Sequence, residues 1–197
     1  MIIETHRLSL REMRQTDYPA LSKILQDPEV MYAYEGAFNE NEVQEWLDKQ
    51  MNRYKELGFG LWAVILNETT EMIGQCGLTM QPYRNSQVLE VGYHFQKSFW
   101  RCGYATEAAI ACRDYAFDIL DAEEVFAIIR DTNIASQNVA KRIGMTIRDR
   151  FIKHYRGIDM PHYLFSVKRG EREIMSVEQF CESGGRSSSE RIWETMQ

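Results

Sequence analysis

Two short stretches carry side chains and backbone that can do chemistry. In "SQVLEVGYHFQ" a carboxylate, Glu90, and an imidazole, His94, interrupt an apolar run. Both can take a proton. Alternation along an extended chain puts Glu90, Gly92 and His94 on one face and Leu89, Val91, Tyr93 and Phe95 on the other. A carboxylate on such a strand is costly to bury unless it is paired or functional. Just beyond, "FWRCGYATEAAIACRDYAF" opens an alanine-rich helix abruptly after Trp100-Arg101-Cys102-Gly103. A helix start leaves its first N–H groups unpartnered and carries about half a positive charge, and glycine lets a ligand approach the backbone. The chemistry suited to that spot is anion binding, and a pyrophosphate accepts several such bonds. Neither GxGxxG nor GxxxxGK[ST] occurs, which excludes a dinucleotide fingerprint and a P-loop.

These stretches need elements to hold them. "IIETHRLSLREM" alternates Leu8 and Leu10 with polar residues and reads as a strand. "TDYPALSKILQD" reads as a helix with Pro19 in its first turn, and "NENEVQEWLDKQMNRYKELG" as another, with Val43, Trp46, Leu47, Tyr54 and Leu57 at helical spacing and Gly58 as its stop. "FGLWAVIL" and "MIGQCGLTMQ" flank the turn signal "NETTE" as a hairpin. A strand over 88–96, a helix over 105–119 and a strand over 124–131 form a central unit. "ASQNVAKRIG" is a short helix ended by Gly144, and two last strands surround a turn near Gly157. The order β-α-α-β-β-β-α-β-α-β-β predicts a mixed α/β domain over residues 1–170. Residues 171–197, rich in Ser and Gly, read as a C-terminal appendage.

Composition narrows the partners. The chain has 197 residues, 44% of them hydrophobic and 12% aromatic, enough for one real core. A net charge of −6 argues against nucleic acid and suits a cationic partner. The four cysteines show neither metal-ligand nor disulfide-framework spacing, so no metal site is expected and a reducing compartment is. No signal peptide and no membrane span are legible, and the reading is a cytoplasmic protein.

The loop Trp100-Arg101-Cys102-Gly103-Tyr104-Ala105 resembles the acetyl-CoA loop Q/R-x-x-G-x-G/A of the GNAT superfamily of N-acetyltransferases, with Trp100 departing at the first position. "W-x-x-GYATEA" is similar to the branch that includes the ribosomal-protein N-terminal (serine/alanine) acetyltransferases. "IETHRLSLREMRQTDYPAL", "EVGYHF" and "TNIASQNVAKRIGM" resemble further segments of that branch, in order, with Met145 where Phe is usual. The resemblance covers residues 1–168. It implies an α+β fold: a mostly antiparallel twisted sheet with two splayed parallel strands, flanked by helices.

The resemblance also implies acetyl-CoA as co-substrate. Its pyrophosphate would lie on Trp100, Arg101, Cys102, Gly103, Tyr104, Ala105 and Thr106, and its pantetheine along the backbone of Tyr93, His94 and Phe95, with Asn133 and Ser136 alongside. Direct attack of a neutral amine on the thioester needs a base, oxyanion donors and an acid for the thiolate. Glu90 is the candidate base and His94 the second. The tyrosine that many members use as acid aligns with Ala140, which leaves Ser136 as the candidate donor. His154, Asp159 and His162 in the closing hairpin are candidates for acceptor contacts. A lysine amine must lose roughly 3.4 pH units of protonation at pH 7, an α-amine only about one, which places a peptide or protein N-terminus ahead of other amines, small ones included. The alternative is an acetyl-CoA sensor of the same fold without turnover. Monomer and homodimer both fit.

Overall fold

A computed structural model describes residues 1–172, apart from Glu35 and Arg156. The elements are β1 (Ile3–Glu4), β2 (Leu8–Arg11), α1 (Tyr18–Leu25), α2 (Glu40–Leu57), β3 (Leu61–Leu66), β4 (Met72–Tyr83), β5 (Ser86–Phe95), α3 (Tyr104–Asp118), β6 (Glu124–Arg130), α4 (Ile134–Arg142), β7 (Thr146–Tyr155) and β8 (Ile158–Lys168). α2 shows how local chemistry sets their ends. Asn39 accepts from the Glu42 N–H at 3.0 Å and donates its own N–H to the Glu42 carboxylate at 2.8 Å, while Gly58, at φ 76°, closes the helix. Val43, Leu47 and Tyr54 are buried as their spacing predicts; Leu57, in the last turn, is exposed.

The strands form one eight-stranded sheet in the order β1-β2-β3-β4-β5-β6-β8-β7. Among the described residues only β5 and β6 run parallel, and they share the single registered pair Glu90↔Phe126; the other neighbouring pairs are antiparallel. The first strand read from sequence is two short ones. The chain breaks between them because the Thr5 hydroxyl and the Arg7 N–H turn aside to bond the Glu107 carboxylate of α3.

Alternation along β4 shows which helices cover which face. Gln75 meets Trp46 of α2, and the next residue, Cys76, meets Cys112 of α3. The β4–β5 ladder runs unbroken from Gly74↔Phe95 to Tyr83↔Ser86, so the parity read for β5 holds: Glu90 and His94 face α2, and Tyr93 faces α3 and α4.

Beyond the last strand, Arg169 pairs with Asp121 at 2.7 Å, Arg172 with Asp118 at 2.9 Å, and Arg148 with Glu171. The appendage expected over residues 171–197 falls, from residue 173 onward, outside the described residues. Removing residues 173–197 is expected to keep these pairs and to leave melting temperature and CoA affinity unchanged. An insoluble product, or one that no longer binds CoA, would assign the removed segment to the core.

Candidate active site

The abrupt start of α3 rests on backbone geometry. Gly103 takes the left-handed conformation (φ 81°) as N-cap, and no side chain caps the helix. The first N–H groups therefore point at a cavity of about 1060 Å³ lined by Gly103, Tyr104, Ala105 and Thr106. Trp100 and Arg101 also line it. Cys102, expected to touch the cofactor, is absent from that lining; its thiol donates to the Trp100 carbonyl at 3.4 Å and its carbonyl accepts from Arg7 at 3.0 Å.

Arg7 ties this loop to the start of the chain. Its Nε pairs with the fully buried Glu107 at 2.7 Å, and its guanidinium lies 4.5 Å from the centre of the Tyr104 ring. The "THRL" motif and the loop are thus one unit. Arg7→Met is expected to leave the Glu107 carboxylate under-compensated, costing ~3 kcal/mol of stability and weakening CoA binding. Thermal melts and CoA titration of the variant check both.

The splay of β5 from β6 makes the rest of the cavity. The Gln96 N–H bonds the Ile73 carbonyl and the Leu78 N–H bonds Gly60, which fixes the alternation: odd-numbered β4 residues and even-numbered β5 residues bond each other. The His94 backbone is thereby committed to Gln75 and withdrawn from the role expected of it. Val91, which sequence reasoning passed over, joins Tyr93 and Phe95 in turning main-chain groups toward the opening. The Phe95 carbonyl already accepts from the Trp100 indole at 3.0 Å.

Glu90 lies at the apex, where the strands part. One oxygen accepts from the Ile128 N–H of β6 at 3.0 Å and the other faces the Thr79 hydroxyl at 3.4 Å. The carboxylate thus serves a β6 amide that the splay turns away from a strand partner, while part of the residue stays exposed to the cavity. Burial pushes its pKa up; the Ile128 N–H and the Lys153 and Arg53 charges work against that rise.

His94 is held by a chain whose direction the donors dictate. The Trp46 indole can only donate, and it bonds Gln75 Oε1 at 3.0 Å. The Gln75 amide nitrogen therefore donates to His94 Nδ1 (3.2 Å), which leaves Nε2–H to donate to the Tyr34 hydroxyl (3.0 Å). Burial lowers the His94 pKa to about 4, so the ring is neutral near pH 7 with its lone pair engaged.

On the opposite face Asn133 caps α4 by accepting from the Ser136 N–H at 3.1 Å, so Ser136 is the third helical residue and not the cap. The Ser136 carbonyl accepts from the Tyr93 hydroxyl at 2.8 Å. Its own hydroxyl has no partner among the described residues, and Asn133 and Ser136 both line the cavity. In the closing hairpin His154 pairs with Asp159 at the surface, away from the cavity. His162 lines the cavity and donates from Nδ1 to the Met160 carbonyl at 2.9 Å, which makes Nε2 a proton acceptor. Burial lowers its pKa too. Among the described residues no group of three His, Cys, Asp or Glu side chains is placed to hold a metal ion, and no helix is long and apolar enough to cross a membrane.

A single parallel pair splayed over an uncapped, glycine-led helix start is also where the sequence matches a known family: the profile of the acetyltransferase (GNAT) domain covers residues 7–146. The chain belongs to the GNAT superfamily. Two Bacillus subtilis proteins are similar to it. The uncharacterized protein YkkB is 39% identical over 142 residues, covering 72% of this chain and 83% of that one. The uncharacterized N-acetyltransferase YnaD is 32% identical over 154 residues, covering 78% and 86%. A GNAT-family acetyltransferase structure from Bacillus anthracis superposes with a TM-score of 0.74 at 25% identity, over 85% of this chain and 98% of that one. As a GNAT member the protein is an acetyl-CoA acyltransferase. The α3 start, with its uncapped N–H groups and left-handed Gly103, fits the pyrophosphate of that co-substrate. None of the three relatives' names gives an acceptor amine.

Proposed function

We propose that this GNAT enzyme acetylates an α-amine, on a peptide N-terminus or a small molecule, by direct attack of the neutral amine on the acetyl-CoA thioester. The observation that carries the reading is Glu90 at the apex of the splay. It is a carboxylate on the acceptor-facing side, held by Ile128 and open to the cavity, with its pKa raised toward that of a useful base. Pyrophosphate binds the N–H groups opening α3 and pantetheine follows the free edge of β5. The thioester then reaches the gap beside Val91, and Glu90 takes the ammonium proton directly or through water.

The hydrogen-bond chain through Gln75, which engages the His94 lone pair, favours Glu90 over His94 as the base. Ser136 donates to the leaving sulfur, being the hydroxyl on the cofactor side with no other partner, whereas Tyr93 is committed to the Ser136 carbonyl. Ser136→Ala is expected to lower kcat by less than about tenfold, the worth of one neutral hydrogen bond, with CoA affinity kept. The reading as a whole is tested by CoA thiol release with peptides whose N-termini are free or blocked, beside small amines. Release with blocked peptides alone would contradict it.

A further inference from the structure

Resting on the acetyl-transfer reading, we infer that the acceptor carries an anionic group, a carboxylate, close to its reactive amine, and that Arg53 of α2 and Lys153 of β7 hold it.

One face of α2 lines the cavity, and its charge changes sign along the helix. Glu42 and Glu45 come first, then Lys49 and Arg53 one turn apart. Lys153 enters from the opposite wall. Its strand pairs Lys153 with Met160 and Phe151 with His162, and Met160 and His162 both line the same cavity. Glu90 lies between the two walls. Glu90, Arg53 and Lys153 line one cavity, and the Glu90 carboxyl responds to both cations.

Arg53 donates to Gln50 Oε1 at 3.1 Å, and neither it nor Lys153 forms an ion pair among the described residues. Arg53 is half-buried, and desolvation lowers its pKa with Glu90 as the chief opposing charge. A partly desolvated guanidinium with most of its donors free is costly unless a planar anion meets it, and a carboxylate fits its fork with two parallel bonds. An acceptor with a carboxylate beside its amine would present that group to Arg53 and Lys153 and the amine to Glu90. A polyamine would instead place a second ammonium against two cations. The net charge of −6 suggests a cationic partner, but the local field at the base is positive.

The test is a set of acceptors matched in all but charge: α-amino acids, their carboxamides, dipeptides with an acidic or amide second residue, and linear diamines, each followed by CoA thiol release. A carboxylate raises the pKa of a neighbouring amine, so intrinsic reactivity favours the carboxamide. The enzyme is expected to reverse that order, with kcat/KM about tenfold to a hundredfold higher for the acid, the worth of one charge-assisted pair. The free amino acid and the acidic dipeptide distinguish a main-chain from a side-chain carboxylate, and a preference for either supports the pair. In Lys153→Met, an exposed position, and in Arg53→Met, the acid-to-amide ratio is expected to fall toward one. If the cations merely tune Glu90, both acceptors slow equally and the ratio stays, which overturns the inference. Faster turnover of amides or diamines overturns it too while leaving acetyl transfer intact. Thiol release with none of the amines removes the acetyl-transfer reading itself.

Discussion

Glu90→Gln is expected to lower kcat by about 10²–10⁴ while acetyl-CoA affinity is unchanged, the usual size of a lost general base. The substitution is informative because of what it keeps. Gln retains a carbonyl oxygen for the Ile128 N–H, the bond that holds β5 against β6 where the two begin to part. Only the charge and the proton-accepting capacity are lost. Stability gives an independent readout. The folded protein holds the Glu90 carboxyl above its unfolded value, so its favourable contribution is complete below the unfolded pKa and disappears as pH rises through the folded one. Gln has no such contribution to lose, so toward neutral pH the melting temperature of the variant should hold or rise relative to the wild type. The acidic limb of kcat/KM should change as well, since what remains would report the acceptor's ammonium alone. A normal kcat in a folded preparation would retire Glu90 and move the role to His162, whose Nε2 is the free proton acceptor on the same face.

Gly103→Asp should weaken CoA binding by well over tenfold, that is by more than ~1.4 kcal/mol. Two causes add. At φ 81° a side chain costs roughly 1–2 kcal/mol of backbone strain, which loosens the loop that aims the α3 N–H groups. The carboxylate also stands where the pyrophosphate is proposed to lie, and like charges repel. Gly103→Ala separates the two, since it carries the strain without the charge and should fall between wild type and Asp. CoA titration by calorimetry, with circular dichroism to confirm folding, decides it. Undiminished affinity in folded Gly103→Asp would falsify the site assignment.

The sequence by itself determined what depends on neighbouring residues along the chain. The stop at Gly58 and the glycine-led opening of α3 are properties of a few consecutive residues, so composition and spacing reveal them. Period-two alternation put Glu90 and His94 on one face because an unbroken ladder with β4 preserves parity. The resemblance to the GNAT family was legible because its motifs, "THRL" and "GYATEA", are contiguous strings.

Tertiary structure alone decided which neighbours those faces meet. Nothing in the chain shows that Arg7 is bound to Glu107, one hundred residues away, or that this clamp splits the first strand in two. The commitment of the His94 lone pair arises from Trp46, Gln75 and Tyr34, which lie on three separate elements. The same is true of Arg53 and Lys153, on a helix and an outer strand, which sequence reasoning did not single out and which the fold brings to one cavity. Local energetics fix the direction in which a side chain points. What it meets there depends on sheet order and on the splay of β5 from β6, and both are set by packing across the whole domain.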